Sequence, residues 1–290
     1  MVGPCSRSPP ATNPLKRAGT NDASKGNYAE VNGLKLYYEV HGDGEPLILL
    51  HGGLGAIEMF GDLLRTLAAY RQVIAVDLQA HGRTADIDRP LRYEHMADDI
   101  GALIEHLGLA TATVMGYSLG GGVALQTAIR HPGAVDKLVV VSEPWKRAAS
   151  YPEVLAAMEQ VGAAVAEAMK PSPIYHLYAD IAPRPEEWPI LLNKIGDLLR
   201  QDYDWSADVA DLAMPTMIVF GDADSVSPAR AAEFFELLGG GQADGGMDGS
   251  GMSRNRLTIL PATTHYDIFS SPTLASTVAP FLDSSMPEAE

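Results

Sequence analysis

The sequence lacks several features, and each absence excludes a class of protein. Its single cysteine, Cys5, cannot form a disulfide within the chain and has no His or Cys neighbours at zinc-ligand spacing. No stretch approaches the roughly 18 apolar residues of a membrane span. Positive charge is scarce, since 21 Lys and Arg residues stand against 37 Asp and Glu residues and give a formal net charge of -16. We therefore expect neither a nucleic-acid nor a membrane partner, because nucleic acids and anionic membranes both repel an acidic protein.

Residues 1–26 lack the signals of a folded or targeted segment. They are rich in Pro, Ser, Gly, Asn and Ala, and they contain no continuous apolar stretch of the kind found in secretory signals. Pro4, Pro9, Pro10 and Pro14 would break the amphipathic helix of a transit peptide, which is the less favoured alternative. We expect a disordered tail and a cytoplasmic location.

Beyond residue 26 the sequence alternates between strand and helix patterns. The Asn32-Gly33 pair joins two predicted strands over residues 28–40, as in a hairpin. Six apolar runs follow, at residues 46–50, 73–76, 112–115, 136–142, 215–220 and 257–260. Most of them are separated by segments in which apolar residues recur at helical spacing. Regular alternation predicts an α/β fold, with a mostly parallel sheet covered by helices on both faces.

The alternation stops between residues 143 and 213, where only helical patterns and prolines occur. We interpret residues 143–213 as a helical cap inserted into a core of residues 27–142 and 214–290. Two ordinary surface helices of the core are the alternative. A second interruption, the Gly-rich stretch 239–255, predicts a mobile loop.

Ser118 lies where a buried strand changes abruptly into a helix. Gly116 and Gly120 stand two residues before and two residues after it, and such a tight turn needs small residues. The turn would push the Ser118 hydroxyl outwards. A Gly-x-Ser-x-Gly pattern alone is weak, because ordinary strand-to-helix turns also use glycine.

Two further candidates for chemistry follow other predicted strands. Asp224 comes shortly after the strand that ends near Phe220, and His265 follows the last strand. In an open parallel sheet the carboxyl ends of the strands lie at one edge, where ligands bind. We therefore expect Ser118, Asp224 and His265 to meet there, although Asp222 is a rival for the acidic position.

The chain resembles the α/β-hydrolase superfamily over residues 28–282. The matching motifs are the His51-Gly52-Gly53 loop, the turn from Gly116 to Gly120, the Gly221-x-x-Asp224 segment and the late His265. The order Ser, Asp, His along the chain is the order of this superfamily. The resemblance implies a nucleophile at Ser118, a general base at His265 and an orienting acid at Asp224, since the acid of related hydrolases lies three residues beyond the glycine that ends the strand. Asp222 would then bond loop backbone.

An acyl transfer also needs donors for the oxyanion. The Leu119 amide is the first candidate, because it begins a helix, where N–H groups are free. Resemblance supplies the second donor at Gly53, with Leu54 as the alternative. No cofactor is implied, and His51 and His81 lack the carboxylate or thiol neighbours of a metal site. Asp77 is expected to hold its own loop.

These features predict a serine hydrolase that cleaves a small or medium, fairly apolar carboxylic ester through an acyl-enzyme. Lactone or carbon–carbon bond hydrolysis on the same three residues, and a non-catalytic receptor on the same fold, are the alternatives. Serine at position 118 argues against haloalkane dehalogenases and epoxide hydrolases, which carry Asp there by resemblance. The sequence leaves open the identity of the substrate and the oligomeric state. It also leaves open whether the substrate carries a free carboxylate that basic cap residues would bind.

Overall fold

The computed structural model of the protein describes residues 26–284. The predicted tail, residues 1–26, lies outside the described residues except for Gly26. Within the described range, no helix has the length and apolar character that crossing a membrane requires.

The described residues form one eight-stranded sheet. The strands are β1 (Asn27–Val31), β2 (Leu34–His41), β3 (Pro46–Leu50), β4 (Gln72–Asp77), β5 (Ala112–Tyr117), β6 (Val135–Val141), β7 (Thr216–Ala223) and β8 (Arg256–Thr264). Their spatial order is β1-β2-β4-β3-β5-β6-β7-β8, in which β2 is antiparallel to β1 and β4 and all other neighbours are parallel. The mostly parallel sheet predicted from the sequence is confirmed.

The Asn32-Gly33 turn joins β1 and β2 as predicted. Both residues have a positive φ, 49° at Asn32 and 78° at Gly33. A two-residue hairpin turn of this kind needs left-handed backbone at both positions, which Asn and Gly adopt most readily. The turn therefore sets the antiparallel register of the first two strands.

Helices cover both faces of the sheet. The helices are α1 (Gly61–Ala68), α2 (Tyr93–His106), α3 (Leu119–Arg130), α4 (Pro152–Met158), α5 (Ala166–Met169), α6 (Pro173–Ile181), α7 (Trp188–Leu199), α8 (Ser206–Ala210), α9 (Pro228–Leu237) and α10 (Pro272–Asp283). Strand residues alternate between the two faces, so that Ile48 belongs to an apolar cluster with residues of α2 and α3, while Leu47 belongs to a second cluster with residues of α1 and α10.

Residues 143–213 contain α4 to α8 and no strand, as the sequence pattern indicated. The first helical pattern is interrupted, because α4 ends at Met158 and the next helical turn begins at Ala163. The Ala163 amide donates to the Asn193 side chain of α7 at 2.7 Å instead of continuing the helix. On the sheet side, Trp188 of this segment is buried in the same apolar cluster as α2 and α3.

The sheet reverses its winding direction between β3 and β5. From β3 the chain moves to β4 on one side, and then it returns to β5 on the other side of β3. Such a reversal opens a crevice at the carboxyl ends of the two strands. His51 to Gly53 and Ser118 follow these two strands, so the topology brings both segments to that crevice.

Candidate active site

Ser118 occupies a strained turn between β5 and α3. Its backbone has φ 51° and ψ -125°, a conformation that residues other than glycine rarely adopt. A Cβ atom at Gly116 would lie 1.9 Å from the carbonyl oxygen of Gly120, and one at Gly120 would lie 2.4 Å from the carbonyl oxygen of Leu50. The two glycines are therefore required by the close approach of the strand, the turn and the first helical residues.

The structure brings Ser118, His265 and Asp224 together. The Ser118 Oγ lies 3.1 Å from His265 Nε2, and His265 Nδ1 lies 3.0 Å from Asp224 Oδ1. A carboxylate accepts hydrogen bonds, so Nδ1 carries the proton and Nε2 presents its lone pair to the Ser118 hydroxyl. This tautomer is the one in which an imidazole can remove a proton from serine.

Asp224 is enclosed and well supplied with donors. Burial opposes its ionisation, but hydrogen bonds from His265, the Ser142 hydroxyl and the Gly221 amide outweigh the effect of burial and hold the pKa of Asp224 below its usual value. Ser225 adds its amide, at 2.6 Å from Asp224 Oδ1, and its hydroxyl also contacts His265 Nδ1 at 3.2 Å. The side chain therefore stays ionised at neutral pH.

Asp222, the rival for the acidic position, points elsewhere. It is exposed, and its Oδ1 accepts a hydrogen bond from the Thr263 amide at 3.2 Å. It thus bonds backbone, as expected, but the backbone is that of the last residues of β8 and not of a loop. The Tyr117 hydroxyl donates to the backbone carbonyl oxygen of His265 at 2.7 Å, which adds a second restraint on the His265 segment.

Gly53 and Leu119, the predicted oxyanion donors, line the same cavity as Ser118. A Cβ atom added to Gly53 would lie 3.8 Å from the Leu119 Cβ, so the two segments are in contact. Leu119 is the first residue of α3, and its amide has no acceptor within that helix. Leu54, the alternative donor, also lines the cavity and has a φ of 61°.

His51 and Asp77 hold the loops around the crevice. The Leu78 amide donates to His51 Nε2 at 3.0 Å, so Nδ1 carries the proton and donates to the Gly52 carbonyl oxygen at 2.8 Å. Asp77 accepts hydrogen bonds from the amides of Ile57 and Arg83 at 2.9 and 2.8 Å, as predicted. Burial lowers the pKa of His51 to about 3 and raises that of Asp77 to about 6.

His81 also lies in this region, and its Nδ1 donates to the Gln79 carbonyl oxygen at 2.8 Å. Burial lowers its pKa to about 4, so the ring is neutral at physiological pH. Among residues 26–284, no group of three or more His, Cys, Asp or Glu side chains is arranged to hold a metal ion.

A cavity of about 290 Å³ opens beside Ser118 and His265. Its remaining wall is mostly apolar and comes largely from α4, α7 and the segment between them, namely Val154, Ala157, Met158, Val161, Ile195 and Leu199. A larger groove of about 640 Å³, lined by Glu39, Leu64 and their neighbours, contains none of the predicted site residues. The smaller cavity is therefore the one that combines reactive groups with an enclosing wall.

Four basic side chains of residues 143–213, namely Lys146, Arg147, Arg184 and Lys194, are candidates for binding a substrate carboxylate. Each of the four pairs with a carboxylate of the chain instead: Lys146 with Glu233, Arg147 with Glu159, Arg184 with Glu187, and Lys194 with Asp86. Of the four, Arg147 alone lines the cavity, and its Nε donates to the Leu199 carbonyl oxygen at 2.9 Å. Its hydrogen-bonding capacity is thus largely used within the protein.

Sequence reasoning missed Glu143, which lines the cavity together with Tyr93 and Tyr203. A signal was present, because Glu143 follows β6 closely, just as Asp224 follows β7. The rule that gathers residues at the carboxyl edge of the sheet therefore applied to both positions. The two tyrosines carried no comparable signal, since their meeting with Glu143 depends on the tertiary fold.

Comparison with known proteins identifies the family of the chain. A family model of the alpha/beta hydrolase fold matches residues 45–170. The pimeloyl-(acyl-carrier protein) methyl ester esterase of Neisseria meningitidis is 34% identical over 209 residues, which are 66% of this chain and 79% of the esterase. The chain belongs to the α/β-hydrolase family. The resemblance inferred from the sequence motifs is therefore confirmed.

Solved structures of α/β hydrolases superimpose on most of the chain. The enol-lactonase from Burkholderia xenovorans has a TM-score of 0.65 and 20% identity, and the match covers 89% of this chain and 100% of the lactonase. The carboxylesterase CesB from Bacillus subtilis has a TM-score of 0.68 and 20% identity, with 91% and 93% covered. At this level of identity, the two structures support the fold and leave the substrate of this α/β hydrolase open.

Proposed function

We propose that the protein is a serine hydrolase that cleaves carboxylic esters of small or medium, fairly apolar substrates through an acyl-enzyme. The observation that carries the proposal is the hydrogen-bonded chain from Ser118 through His265 to Asp224, with contacts of 3.1 and 3.0 Å. A second support is the relationship to an esterase, because the match between the two sequences covers 79% of that esterase. Lactone hydrolysis uses the same bond changes and is the alternative on the same three residues.

In the first half of the reaction, Ser118 Oγ attacks the ester carbonyl carbon. His265 Nε2 takes the hydroxyl proton, which a serine does not lose by itself at neutral pH, and then passes it to the departing alcohol oxygen. The carbon–oxygen bond to the alcohol breaks, and the acyl group stays on Ser118. Asp224 keeps Nδ1 protonated and stabilises the imidazolium that forms transiently.

In the second half, water replaces the alcohol. His265 removes a proton from water as its oxygen attacks the acyl carbon, and the proton returns to Ser118 when the carboxylic acid leaves. The amides of Gly53 and Leu119 would donate to the negative oxygen in both tetrahedral intermediates. One such donor contributes about 3 kcal/mol to transition-state stabilisation in serine hydrolases.

Substrate choice would depend on the cavity wall. We assign residues 143–213 the role of a cap over a core of residues 27–142 and 214–290, because side chains from Val154 to Leu199 face the cavity that contains Ser118. A mostly apolar wall favours an apolar acyl or alcohol group and limits the access of water to the intermediate. The paired state of the basic residues disfavours a substrate with a free carboxylate.

A panel of p-nitrophenyl esters with rising acyl length tests the proposal. Wild-type protein should release p-nitrophenol, with the highest kcat/KM for a short or medium chain, and Ser118→Ala should reduce kcat/KM by roughly 10³-fold or more. A few lactones and one monoester with a free carboxylate belong in the same panel. Activity on lactones alone would change the assignment to a lactonase.

A non-catalytic receptor is the competing function from another class. It would keep the fold and the cavity without a reactive serine. A fluorophosphonate probe separates the two, because it reacts covalently with an activated serine. Labelling of wild-type protein that disappears in Ser118→Ala supports the hydrolase, whereas a folded, unlabelled wild-type protein supports the receptor.

A further inference from the structure

The cavity contains one acidic side chain that the proposed ester hydrolysis does not use. Glu143 lies just beyond β6, is only 7% exposed, and shares the cavity wall with Ser118 and His265. Buried carboxyl groups are normally paired with a cation, because burial penalises the charge. Glu143 has no Lys, Arg or His within ion-pair distance among residues 26–284. It therefore needs another explanation.

The two oxygens of the Glu143 carboxyl have different surroundings. Oε1 accepts hydrogen bonds from the hydroxyl groups of Tyr93 and Tyr203, at 3.1 and 3.2 Å. Oε2 has no hydrogen-bond partner within the described part of the chain. The two tyrosine hydroxyl groups occupy Oε1 as an acceptor, so Oε2 is the oxygen that carries the proton when the carboxyl group is neutral. The free oxygen is thus placed to donate into the cavity.

The residues around Glu143 leave room for its side chain and restrain its hydrogen-bond partners. A Cβ atom at Gly121 would lie 2.9 Å from the Glu143 Cβ, and one at Gly122 would lie 2.3 Å from the Tyr93 ring. Tyr203 stacks on Trp205 with ring centroids 4.2 Å apart. The glycines that follow the Ser118 turn therefore leave room for the acid and its tyrosine partner, and packing restrains both tyrosines.

Burial and one charged neighbour favour the protonated form of Glu143. The pKa of Glu143 is raised to about 8, chiefly by burial; the hydrogen bonds from Tyr93 and Tyr203 act in the opposite direction, and the charge of Asp224 adds to the effect of burial. Burial also raises the pKa of Tyr93 and Tyr203 well above the usual value, so both stay neutral donors. The other titratable groups that line the cavity are Arg147, which is paired with Glu159, together with His265 and Tyr266.

We propose that Glu143 is a specificity-determining residue that donates a hydrogen bond from its carboxyl group to an uncharged oxygen of the substrate. The inference rests on the proposed ester hydrolysis and names a feature of its substrate: a keto, ether or hydroxyl oxygen within an otherwise apolar acyl or alcohol group. A purely alkyl group would leave the buried O–H without a partner, which costs binding free energy.

Matched esters that differ by one CH₂-to-oxygen exchange test this inference. On the acyl side, p-nitrophenyl hexanoate is compared with p-nitrophenyl 3-ethoxypropanoate and 4-methoxybutanoate. On the alcohol side, pentyl butanoate is compared with 2-ethoxyethyl butanoate. Each kcat/KM is divided by the rate of alkaline hydrolysis of the same ester, so that the ratio reports recognition by the protein. The side on which the preference occurs shows which part of the substrate carries the oxygen.

At pH 6.5 the wild-type protein should prefer at least one ether-containing ester by about fivefold, which corresponds to one net hydrogen bond. The preference should fall as the pH rises through about 8, because a carboxylate no longer donates. Glu143→Gln should keep the preference at every pH, since its amide N–H₂ replaces the O–H while its carbonyl oxygen still accepts from the tyrosines. Glu143→Leu should lose it, and Glu105→Gln, on an exposed face of α2, should behave as wild type.

Three outcomes overturn the inference. The first is hydrolysis of the hexanoate without any preference in either matched pair, which leaves the proposed function intact. The second is a preference that is the same in Glu143→Leu or that does not change with pH in the wild type. The third is hydrolysis of none of the esters, which contradicts the proposed function as well.

Discussion

Asp222 and Asp224 lie two residues apart at the end of β7 and make different contacts. Asp224 is buried against the imidazole of His265, with 3.0 Å between Oδ1 and Nδ1. Asp222 is exposed and accepts a hydrogen bond from the Thr263 amide. Alternation along a strand would place residues two positions apart on the same face, but Asp224 lies beyond the last residue of β7, and its hydrogen bonds to Ser142 and Gly221 account for its buried position.

The two aspartates provide a matched pair of variants. Asp224→Asn should reduce kcat/KM by roughly 10⁴-fold, because an amide can donate to Nδ1 and so stabilise the wrong imidazole tautomer. Asp222→Asn changes the same atoms at an exposed position and should alter kcat/KM by less than about twofold. Steady-state kinetics on one p-nitrophenyl ester checks both. A large loss in Asp222→Asn, or near-normal rates in Asp224→Asn, would reverse the assignment.

The tight turn at Ser118 predicts a contrast between two glycine substitutions. Gly116→Ala places a methyl group 1.9 Å from the Gly120 carbonyl oxygen and should lower the free energy of unfolding by about 3 kcal/mol or more. Gly133→Ala adds a methyl group with no atom within 4 Å and should change it by less than about 0.5 kcal/mol. Urea unfolding followed by circular dichroism checks the pair, and equal midpoints would show that the turn tolerates a side chain.

Glu143 predicts a pH dependence of stability. Its pKa is about 8 in the folded protein against an ordinary value of 4.5, so between these pH values the folded state holds a proton that the unfolded state has lost. Stability contributed by this group is therefore complete below about pH 4.5 and falls as the pH rises towards 8. Glu143→Gln removes the dependence.

Urea unfolding of wild type and Glu143→Gln at pH 5 and pH 8 measures this contribution. Between the two pH values, the wild type should lose more stability than the variant by on the order of a few kcal/mol. Glu105→Gln serves as the control and should follow the wild type. Parallel losses in wild type and Glu143→Gln would mean that the buried carboxyl is already ionised at pH 5.

Much of the fold followed from local patterns in the sequence. The Asn32-Gly33 turn, the apolar strand Pro46–Leu50 and the helix Trp188–Leu199 each have a local cause, namely left-handed turn residues, continuous burial or helical spacing. The predicted boundaries of strands and helices are less accurate where pairing with a neighbouring strand lengthens the element. β8 continues to Thr264 because that residue still pairs with Ala223 of β7, and the sequence pattern had ended this strand at Leu260.

The meeting of Ser118, Asp224 and His265 was also predictable, because each residue follows a strand at the same edge of a parallel sheet. Contacts that depend on the assembled fold were not. The Ser142 hydroxyl at Asp224 joins residues that are 82 positions apart, and the tyrosine pair at Glu143 joins residues that are 50 and 60 positions apart. The break after α4 has the same origin, since Asn193 of a later helix takes the Ala163 amide.

The central claim is that His265 makes the Ser118 hydroxyl reactive. The rate at which a fluorophosphonate probe labels Ser118 in wild type and in His265→Ala, with the adduct located by peptide mass spectrometry, tests it most directly. We expect a single adduct at Ser118 and a labelling rate at least roughly 10³-fold lower in the folded His265→Ala variant. An adduct at another residue, or equal rates in the two proteins, would contradict the claim.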